Sequence, residues 1–454
     1  MKLSTLSGTP RRAQLPAHGE PMTAAADTAD LAPAPYGQAL KARHVAAVTA
    51  GNALEFYDFL TYAFFAAQIG RTFFPSADAA GSLLASLATF GAGFLMRPVG
   101  ALTIGRLADR IGRKPAMLLS FTLMGVAMFG LALTPGYRAI GIAAPILAIG
   151  FRLVQGFALG GEIGPNTAYL IEAAPPRRRG LYVSFQYMSQ DASVLVSGLV
   201  GYGLSRLLSD AALDAWGWRV AFILGASIVP FGLLLRRELA ETLPPEAPES
   251  QLAAPRMPMS VARVAAFGIV ILAGGTTVSY VLDYLTTYAT STLHMATSVG
   301  FLATIFLGLT GVIVDPIGGW MSDRFGRKRM MLIPWTALLL ATMPGFLLLS
   351  NLRTTGVLIG LSIGLTIASS LTQPSVLVSI TESIPARARA GSLGLIYAFA
   401  ISIFGGSTQF TVAWLTGFTH NPLAPAWYMS VCVAIALVAM IALPQTAPGR
   451  SQAA

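Results

Sequence analysis

The stretch Gly105-Arg-Leu-Ala-Asp-Arg-Ile-Gly-Arg-Lys114 is a basic loop between two long apolar runs, and the fold of the chain follows from it. It returns as Gly319-Trp-Met-Ser-Asp-Arg-Phe-Gly-Arg-Lys328, after nearly half of the 454 residues. A repeat in this register predicts two similar halves. In each copy a glycine permits a tight turn. The aspartate of each copy, Asp109 or Asp323, can accept hydrogen bonds from the N-terminus of a neighbouring helix.

Apolar runs of similar length fill most of the chain. Hydrophobic residues make up 54% of it and charged residues 11%, and the mean hydropathy is +0.64. A soluble domain usually has about 25% charged residues, and a helix of about 20 apolar residues crosses a bilayer. The sequence therefore predicts an all-α membrane protein of twelve transmembrane helices in two pseudo-symmetric six-helix bundles. We number these spans 1 to 12, and they are centred near residues 57, 92, 125, 152, 193, 227, 277, 309, 340, 367, 404 and 434.

The positive charge, +10 net, is concentrated in particular loops and in the tails and is not spread evenly over the chain. Most of the 30 Lys and Arg residues lie in the two tails and in the loops after the even-numbered spans, whereas the loops on the opposite side carry only Arg71, Arg138, Arg206 and Arg353. Such a bias places the basic loops and both termini in the cytoplasm. The basic charge therefore reports membrane orientation and not a nucleic-acid partner.

The spans and loops predict a division into five segments. Two six-helix bundles joined by a cytoplasmic linker are typical of a transporter whose halves rock about a central site. The segments are a disordered cytoplasmic tail at 1–44, an N-terminal bundle at 45–237, a linker at 238–262, a C-terminal bundle at 263–443 and a cytoplasmic tail at 444–454.

Two arginines inside spans are the most informative single residues. A cation near the middle of a span costs about 2.5 to 3.5 kcal/mol on insertion scales, so it normally faces a cavity or a partner. For Arg97 in span 2 we favour contact with a substrate carboxylate, which a guanidinium binds in a bidentate manner. For Arg152 in span 4 this role and pairing with an intramembrane acid remain equally open. The candidate acids are Glu55, Asp58, Glu162 and Asp191.

Glu55 and Asp58 are three residues apart in span 1 and therefore lie on one helical face. Two carboxylates this close in a low dielectric resist ionising together. A proton-coupling site requires this property, and we assign that role to one of the two. The alternative is that Arg97 or backbone donors neutralise both acids, which then serve packing only. Asp283 in span 7 has no evident partner, and Asp315 is expected to be structural, near the cytoplasmic end of span 8.

The remaining candidates fall into two groups, neutral hydrogen-bonding side chains and residues at the loop ends. Each neutral side chain is more often a tie between helices than a ligand group. The proposed substrate-binding set is Arg97, Arg152, Gln155, Asn52, Gln186, Gln190, Tyr280 and Tyr284. Spans 4 and 10 end alike, at Glu172 and Glu382, each followed by Pro and Arg residues. The residues expected to gate or to stabilise one conformation are Asp109, Arg113, Asp323, Arg327, Glu172, Glu382 and Arg219.

The sequence offers no motif for an enzyme, a metal centre or a cofactor. The four histidines (His18, His44, His294 and His420) are scattered outside spans or at their ends, and Cys432 is the only cysteine. A Gly-rich loop ending in Lys-Ser or Lys-Thr, which would bind ATP, is absent from the sequence. Energy for transport is therefore expected to come from an ion gradient, with the proton as the coupling ion.

Several motifs resemble those of the major facilitator superfamily. Both basic loops resemble its signature loop, and Arg152-x-x-Gln155-Gly resembles its span-4 motif. More narrowly, Gly51-Asn-Ala-Leu-Glu-Phe-Tyr-Asp58, Phe94-Leu-Met-Arg97-Pro-Val-Gly100, Gln155-Gly-Phe-Ala-Leu-Gly-Gly-Glu162, Trp216-Gly-Trp-Arg219 and Arg236-Arg-Glu-Leu-Ala-Glu-Thr242 are similar to the metabolite–proton symporter family. Within it, Ser184-Phe-Gln-Tyr-Met-Ser-Gln190 is similar to the citrate and tricarballylate symporters, with the 2-oxoglutarate permeases almost as close. Asp283 departs from the pattern of the citrate carriers.

The resemblance implies proton coupling and an acid-binding role for Arg97. The resulting hypothesis is a proton-coupled symporter that imports a small di- or tricarboxylate of the citrate, tricarballylate or 2-oxoglutarate type. It is expected to act as a monomer in the inner membrane, with lipid, substrate and protons as its partners. One alternative is import of a zwitterion such as betaine or proline. A drug–proton antiporter is less favoured, because its cavity has no need of two arginines within spans.

Overall fold

The structure is a computed structural model that describes residues 42–111, 113–160, 170, 174–237, 261–384 and 389–443. Outside the described residues lie the predicted C-terminal tail, residues 1–41 of the predicted N-terminal tail, almost all of the predicted linker, and two candidate residues, Glu162 and Glu172. Residues 42–44, predicted as part of the tail, are helical. The side chains of Glu55, Asp109 and Arg113 also lie outside the described part, although their backbones are helical.

All regular structure in the described residues is helical, and the centre of every predicted span falls within a helix or its continuation. We number the main helices as the spans. Helices α2 and α11 are interrupted, and each has two parts. The helices are α1 (Ala42–Phe64), α2a (Ala79–Leu95), α2b (Arg97–Ile111), α3 (Arg113–Leu133), α4 (Ala143–Gly160), α5 (Arg179–Leu207), α6 (Trp218–Arg237), α7 (Val261–Asp283), α8 (Thr297–Phe325), α9 (Arg327–Leu352), α10 (Thr355–Glu382), α11a (Arg389–Ala400), α11b (Gly406–Thr419) and α12 (Ala424–Ala442).

Hydropathy and exposure both fit a helical bundle in a membrane. Within the described residues, eight helical segments are long and apolar enough to cross a bilayer: α2, α4 and α7 to α12. Helices α1, α3, α5 and α6 fall short of that criterion, and α1 and α5 carry polar side chains along their length. On the outside of the bundle, large apolar side chains are exposed, for example Phe418 at 71% and Leu340 at 70%. Such a surface is stable against lipid tails.

Small residues bring α4 unusually close to α2. A Cβ atom at Gly156 would overlap the carbonyl oxygen of Gly93, and one at Gly160 would overlap that of Arg97. Close approach through small residues is the usual way for membrane helices to pack. This contact fixes the position of the junction between α2a and α2b.

The junction itself is a consequence of Pro98, the second residue of α2b. Proline has no backbone N–H, and its ring clashes with the carbonyl group four residues earlier, here that of Phe94. The helix therefore breaks at Met96, where the backbone N–H bonds to the carbonyl oxygen of Gly93 at 3.3 Å. The break places Arg97 at the first position of α2b.

Two seams join the first six helices to the last six. Helices α5 and α8 run against each other along their whole length, as shown by the contacts of Gly180 with Gly319, Asp191 with Gly311, and Gly201 with Phe301. At the second seam, α2a meets the start of α11b, where the backbones of Gly91 and Gly406 touch. The space between these seams is the centre of the molecule.

Candidate functional site

A cavity lies between the two seams and is lined by both halves of the chain. The first half contributes residues of α1, α2b and α5, and the second half contributes residues of α7 to α12. The polar lining from the first half consists of Arg97, Tyr187, Gln190 and Asp191. A concave site with a few convergent polar groups at the junction of two bundles is the default position for ligand binding in this kind of fold.

Arg97 places a guanidinium in this cavity. The residue is only 3% exposed, and its Nε and Nη2 atoms have no hydrogen-bond partner. The Cζ atom lies 4.5 Å from the centre of the Phe59 ring and 4.1 Å from that of Phe94. Tyr280 is its polar neighbour. Since a buried cation with unused donors is costly, the geometry suits an anionic group that enters the cavity and binds to the free donors.

Arg152 is placed differently and does not line the cavity. Its Nη1 atom donates to Gln155 Oε1 at 2.7 Å, and Gln155 Nε2 donates to Asp58 Oδ1 at 3.2 Å. The rings of Tyr62 and Phe90 pack on the guanidinium. Arg152 is thus linked to an intramembrane acid through an amide, while its Nε and Nη2 atoms have no hydrogen-bond partner. Both side chains lie among residues of the first half and outside the cavity lining, and the ligand roles of Arg152 and Gln155 stay predictions.

The other neutral candidates also separate into two groups. Gln190 and Tyr280 line the cavity. Asn52 and Gln186 instead join α1 to α5, because Asn52 Nδ2 donates to Ser189 Oγ at 2.7 Å and to the Gln186 carbonyl oxygen at 3.3 Å. Tyr284 is buried just after α7, away from the cavity lining. The sequence could not separate these groups, since all are polar residues within spans.

The cavity is also lined by three aspartates, Asp191, Asp283 and Asp315. The sequence analysis did not assign any of them to the site. The expectation that Asp315 lies near the end of span 8 was wrong, because α8 continues to Phe325 and carries Asp315 well within the bundle. Pro316 does not end the helix, since a membrane helix tolerates proline when neighbouring groups satisfy the freed backbone. The sequence did carry a signal for these three aspartates, because an ionisable residue inside a span is by default a functional candidate.

A charged cluster closes the α5–α8 seam at the end that carries the second basic loop, which we call the basic-loop end (residues 319–328). Asp323 accepts hydrogen bonds from the backbone N–H groups of Gly180 and Leu181, both at 2.9 Å, at the N-terminus of α5. Arg327 lies 2.5 Å from Asp323 and 3.5 Å from Glu382. The hydrogen bonds from Gly180 and Leu181 to Asp323 join the two halves, whereas the Arg327 pairs lie within the second half. An anion at a helix N-terminus is stabilising.

Arg219 lies in the first half alone. Its Nη2 atom donates to the carbonyl oxygen of Thr134 at 3.0 Å, and its Nη1 atom donates to that of Ala215 at 2.7 Å. The guanidinium also packs on Trp218. These contacts join the start of α6 to the end of α3, and they favour a structural role over gating between halves.

Replacing Asp323 by asparagine is expected to loosen the seam at the basic-loop end. The amide keeps one acceptor oxygen but loses the charge, and a hydrogen bond to a charged group is worth about 1.5 to 3 kcal/mol. We expect faster maleimide labelling of a cysteine at the buried Ser184 position, in detergent and with Cys432 replaced by serine. Asp210→Asn, a change at an exposed site, is the control. Equal labelling rates in both variants would show that Asp323 does not hold the seam.

Comparison with known proteins gives the family of the chain. The model of the Major Facilitator Superfamily matches residues 48–408. A citrate-proton symporter of Klebsiella pneumoniae is 35% identical, over 86% of this chain and 89% of the relative. The alpha-ketoglutarate permease of Escherichia coli K12 is 34% identical, over 89% and 94% of the two chains. The proline/betaine transporter of the same strain is 30% identical, over 89% and 83%.

Solved structures give the same fold. The crystal structure of a D-xylose-proton symporter aligns with 90% of this chain and 98% of its own, with a TM-score of 0.71 and 18% identity. At that identity the likeness concerns the fold alone. The prediction of an all-helical membrane protein with this fold is confirmed. The chain belongs to the Major Facilitator Superfamily, and it is a multi-pass membrane transporter and not an enzyme.

Proposed function

We propose that this protein is a proton-coupled symporter that imports a small di- or tricarboxylate by alternating access. The observation that carries the proposal is the Arg97 guanidinium, which lies in the cavity between the halves with two nitrogen atoms free of hydrogen bonds. A planar guanidinium with adjacent free donors suits a carboxylate better than a hydroxyl or an apolar group. The similarity to citrate and 2-oxoglutarate carriers supports the same substrate class.

Neutral donors and acceptors around Arg97 can hold the rest of such a substrate. Gln373 of α10 donates to Ser279 Oγ at 3.0 Å and to Ser369 Oγ at 2.9 Å, so that the part of the cavity wall from the second half carries amide and hydroxyl groups. Gln190 of α5 has an unpaired Nε2 atom on the same cavity. A second carboxylate or a hydroxyl group of the substrate would bind here without a second cation.

A second candidate function is import of a zwitterion, and Asp283 is the observation that favours it. A carboxylate on the cavity wall of α7, with Arg97 on the other half, would bind the two ends of an amino acid or a betaine. The similarity to a proline/betaine transporter supports this reading. In this second function the substrate carboxylate also binds to Arg97. The two candidate functions therefore differ only in the other charged or polar group of the substrate.

We place the protein in the inner membrane with the basic-loop end and both termini in the cytoplasm. The bias of Lys and Arg toward the loops of one side supports this orientation. Substrate would then enter the cavity from the outer side and leave past the cluster at Asp323. The seam that this cluster closes is the exit that has to open.

Uptake by proteoliposomes tests the proposal. We expect a proton gradient, acidic outside, to drive accumulation of citrate, tricarballylate, 2-oxoglutarate or succinate, and a protonophore to abolish it. Substrate competition would rank the four acids. Accumulation of betaine or proline with no uptake of any of the acids would favour the second candidate. Accumulation above the outside concentration that persists after the proton gradient is removed would contradict proton coupling.

A further inference from the structure

We propose that Asp191 and Asp315 form a carboxyl pair that shares one proton across the α5–α8 seam, and that this pair is the coupling site of the transporter. The pair joins the two halves, because Asp191 belongs to the first and Asp315 to the second. The inference deepens the proposed function, since a coupling site has meaning only in an ion-driven carrier. The sequence analysis placed the coupling proton on Glu55 or Asp58 instead.

The seam is built to bring these carboxyl groups together. A Cβ atom at position 311 would overlap Asp191 Oδ2, so only glycine leaves room for that carboxyl against α8. One turn earlier, a Cβ atom at Gly308 would overlap the backbone of α5 at Leu195. Two glycines on one face of α8 thus let α5 approach until the Asp191 side chain reaches the face that carries Asp315.

Asp315 completes the arrangement from within α8. It is 1% exposed, it follows Gly311 by one helical turn on the same face, and it lines the cavity together with Asp191 and Ser370. The Asp191 carboxyl and the Ser370 hydroxyl are its polar neighbours. Its Oδ2 atom has no hydrogen-bond partner. Thr366 Oγ1, which is 3% exposed, also lines the cavity without a partner. A water molecule or substrate group in the cavity can therefore reach the pair and exchange a proton with it.

The charges around the pair limit its ionisation. The other titratable groups that line this cavity are Tyr187, Tyr280, Asp283, Tyr397 and Arg97. Within the described residues, no Lys or Arg forms an ion pair with either aspartate, and Asp283 adds a further acid. Two neighbouring carboxylates that are ion-paired with none of the described Lys and Arg residues do not both remain ionised in a low dielectric. One proton is shared, as in other carboxyl dyads.

The shared proton has a mechanical effect. In the protonated state one carboxyl O–H donates to the other carboxylate, and this charge-assisted bond ties α5 to α8. When the proton leaves to water in the cavity, two like charges face each other across the seam, and the tie becomes a repulsion. A proton that binds from one side of the membrane can thus be released on the other side only if the contact between α5 and α8 changes. Occupancy of the pair and separation of the halves are then linked equilibria.

A substrate-free experiment tests the pair itself. The full chain carries a cysteine at the buried Ser184 position, with Cys432 replaced by serine, and its maleimide labelling is measured against pH in detergent. Rates are normalised to those of the unfolded protein at each pH, which removes the ionisation of the thiol. We expect labelling to rise with pH as the pair loses its proton. Asp315→Asn should remain poorly labelled at every pH, because its amide donates to Asp191 as the shared proton does.

Asp191→Asn makes the matching change on α5 and should also remain poorly labelled at every pH. It replaces Asp315→Asn in the experiment if that variant does not fold. Asp210→Asn, at an exposed site, should retain the pH dependence of the parent protein. Labelling that rises with pH equally in both pair variants overturns the proposal. So does a labelling rate in the parent protein that depends on Na⁺ and not on pH, because the pair would then be a cation site.

Transport gives the second readout. Coupling between two ligands typically changes affinity by about 5- to 150-fold, so in Asp315→Asn we expect at least about a fivefold loss of proton-driven accumulation. Exchange of labelled for unlabelled substrate should continue, since it needs no net proton movement. Loss of exchange together with accumulation would assign Asp315 to substrate binding and overturn the proposal. If the parent protein carries none of the tested solutes, the proposed function fails, whereas the labelling experiment still decides the fate of the pair.

Discussion

Replacing Arg97 by lysine should reduce carboxylate uptake at low substrate concentration by about tenfold to a hundredfold, which corresponds to about 1.4 to 2.8 kcal/mol of lost binding. The charge is kept, but the ammonium lacks the planar fork that binds a carboxylate through two parallel hydrogen bonds. It also loses the contacts of the guanidinium with the rings of Phe59 and Phe94. Initial uptake rates and equilibrium binding of citrate or 2-oxoglutarate to the purified protein measure the effect.

The control for this substitution is Arg206→Lys, at an exposed position near the end of α5. It makes the same chemical change outside the cavity and should leave uptake unchanged. If Arg97→Lys transports as well as the parent protein, Arg97 is a structural cation and the assignment of an acidic substrate has no support left.

Replacing Gly156 by alanine should destabilise the first half more than any other single methyl addition to α4. The added Cβ atom would overlap the backbone oxygen of Gly93, and a backbone cannot turn aside as a flexible side chain can. Overpacking of this kind typically costs about 1 to 3 kcal/mol. A lower thermal unfolding temperature in detergent and a smaller yield of folded protein would report the loss.

Gly150→Ala is the matched control, because it makes the same change on the same helix. A Cβ atom at Gly150 has no neighbour within 4 Å. Alanine is also the better helix former, by about 1 kcal/mol. This variant should therefore be as stable as the parent protein or slightly more stable. Similar losses in the two variants would mean that propensity or expression, and not helix contact, decides the outcome.

Much of the fold was open to prediction, because it depends on features that one sequence carries by itself. Length and apolarity place the spans, and the repeated loop at Asp109 and Asp323 divides the chain into halves. The position of Arg97 on a cavity was also open to prediction, since a cation within a span needs an anion or a cavity. The division of the chain into segments and the roles of single residues remain predictions.

The members of the site were harder to predict, because helical periodicity tells which residues share a face and not what that face meets. Gln155 follows Arg152 by three residues, so their contact was within reach. The contact of Gln155 with Asp58 was not, because it depends on how α1 and α4 pack. In the same way, the neighbouring Pro316 led to the prediction that Asp315 lies near the end of span 8. Its proposed role depends instead on α5, which packs against α8 across the seam.

The length of the α5–α8 contact has a consequence for the way in which the molecule opens. If α5 and α8, which touch from Gly180 to Gly201, parted at both ends at once, the halves would keep only the second seam at Gly91 and Gly406. The two helices can instead tilt about a point between their ends, where Asp191 contacts Gly311. Bulky substitutions at Gly180 and at Gly201 should then bias the carrier toward opposite faces of the bilayer.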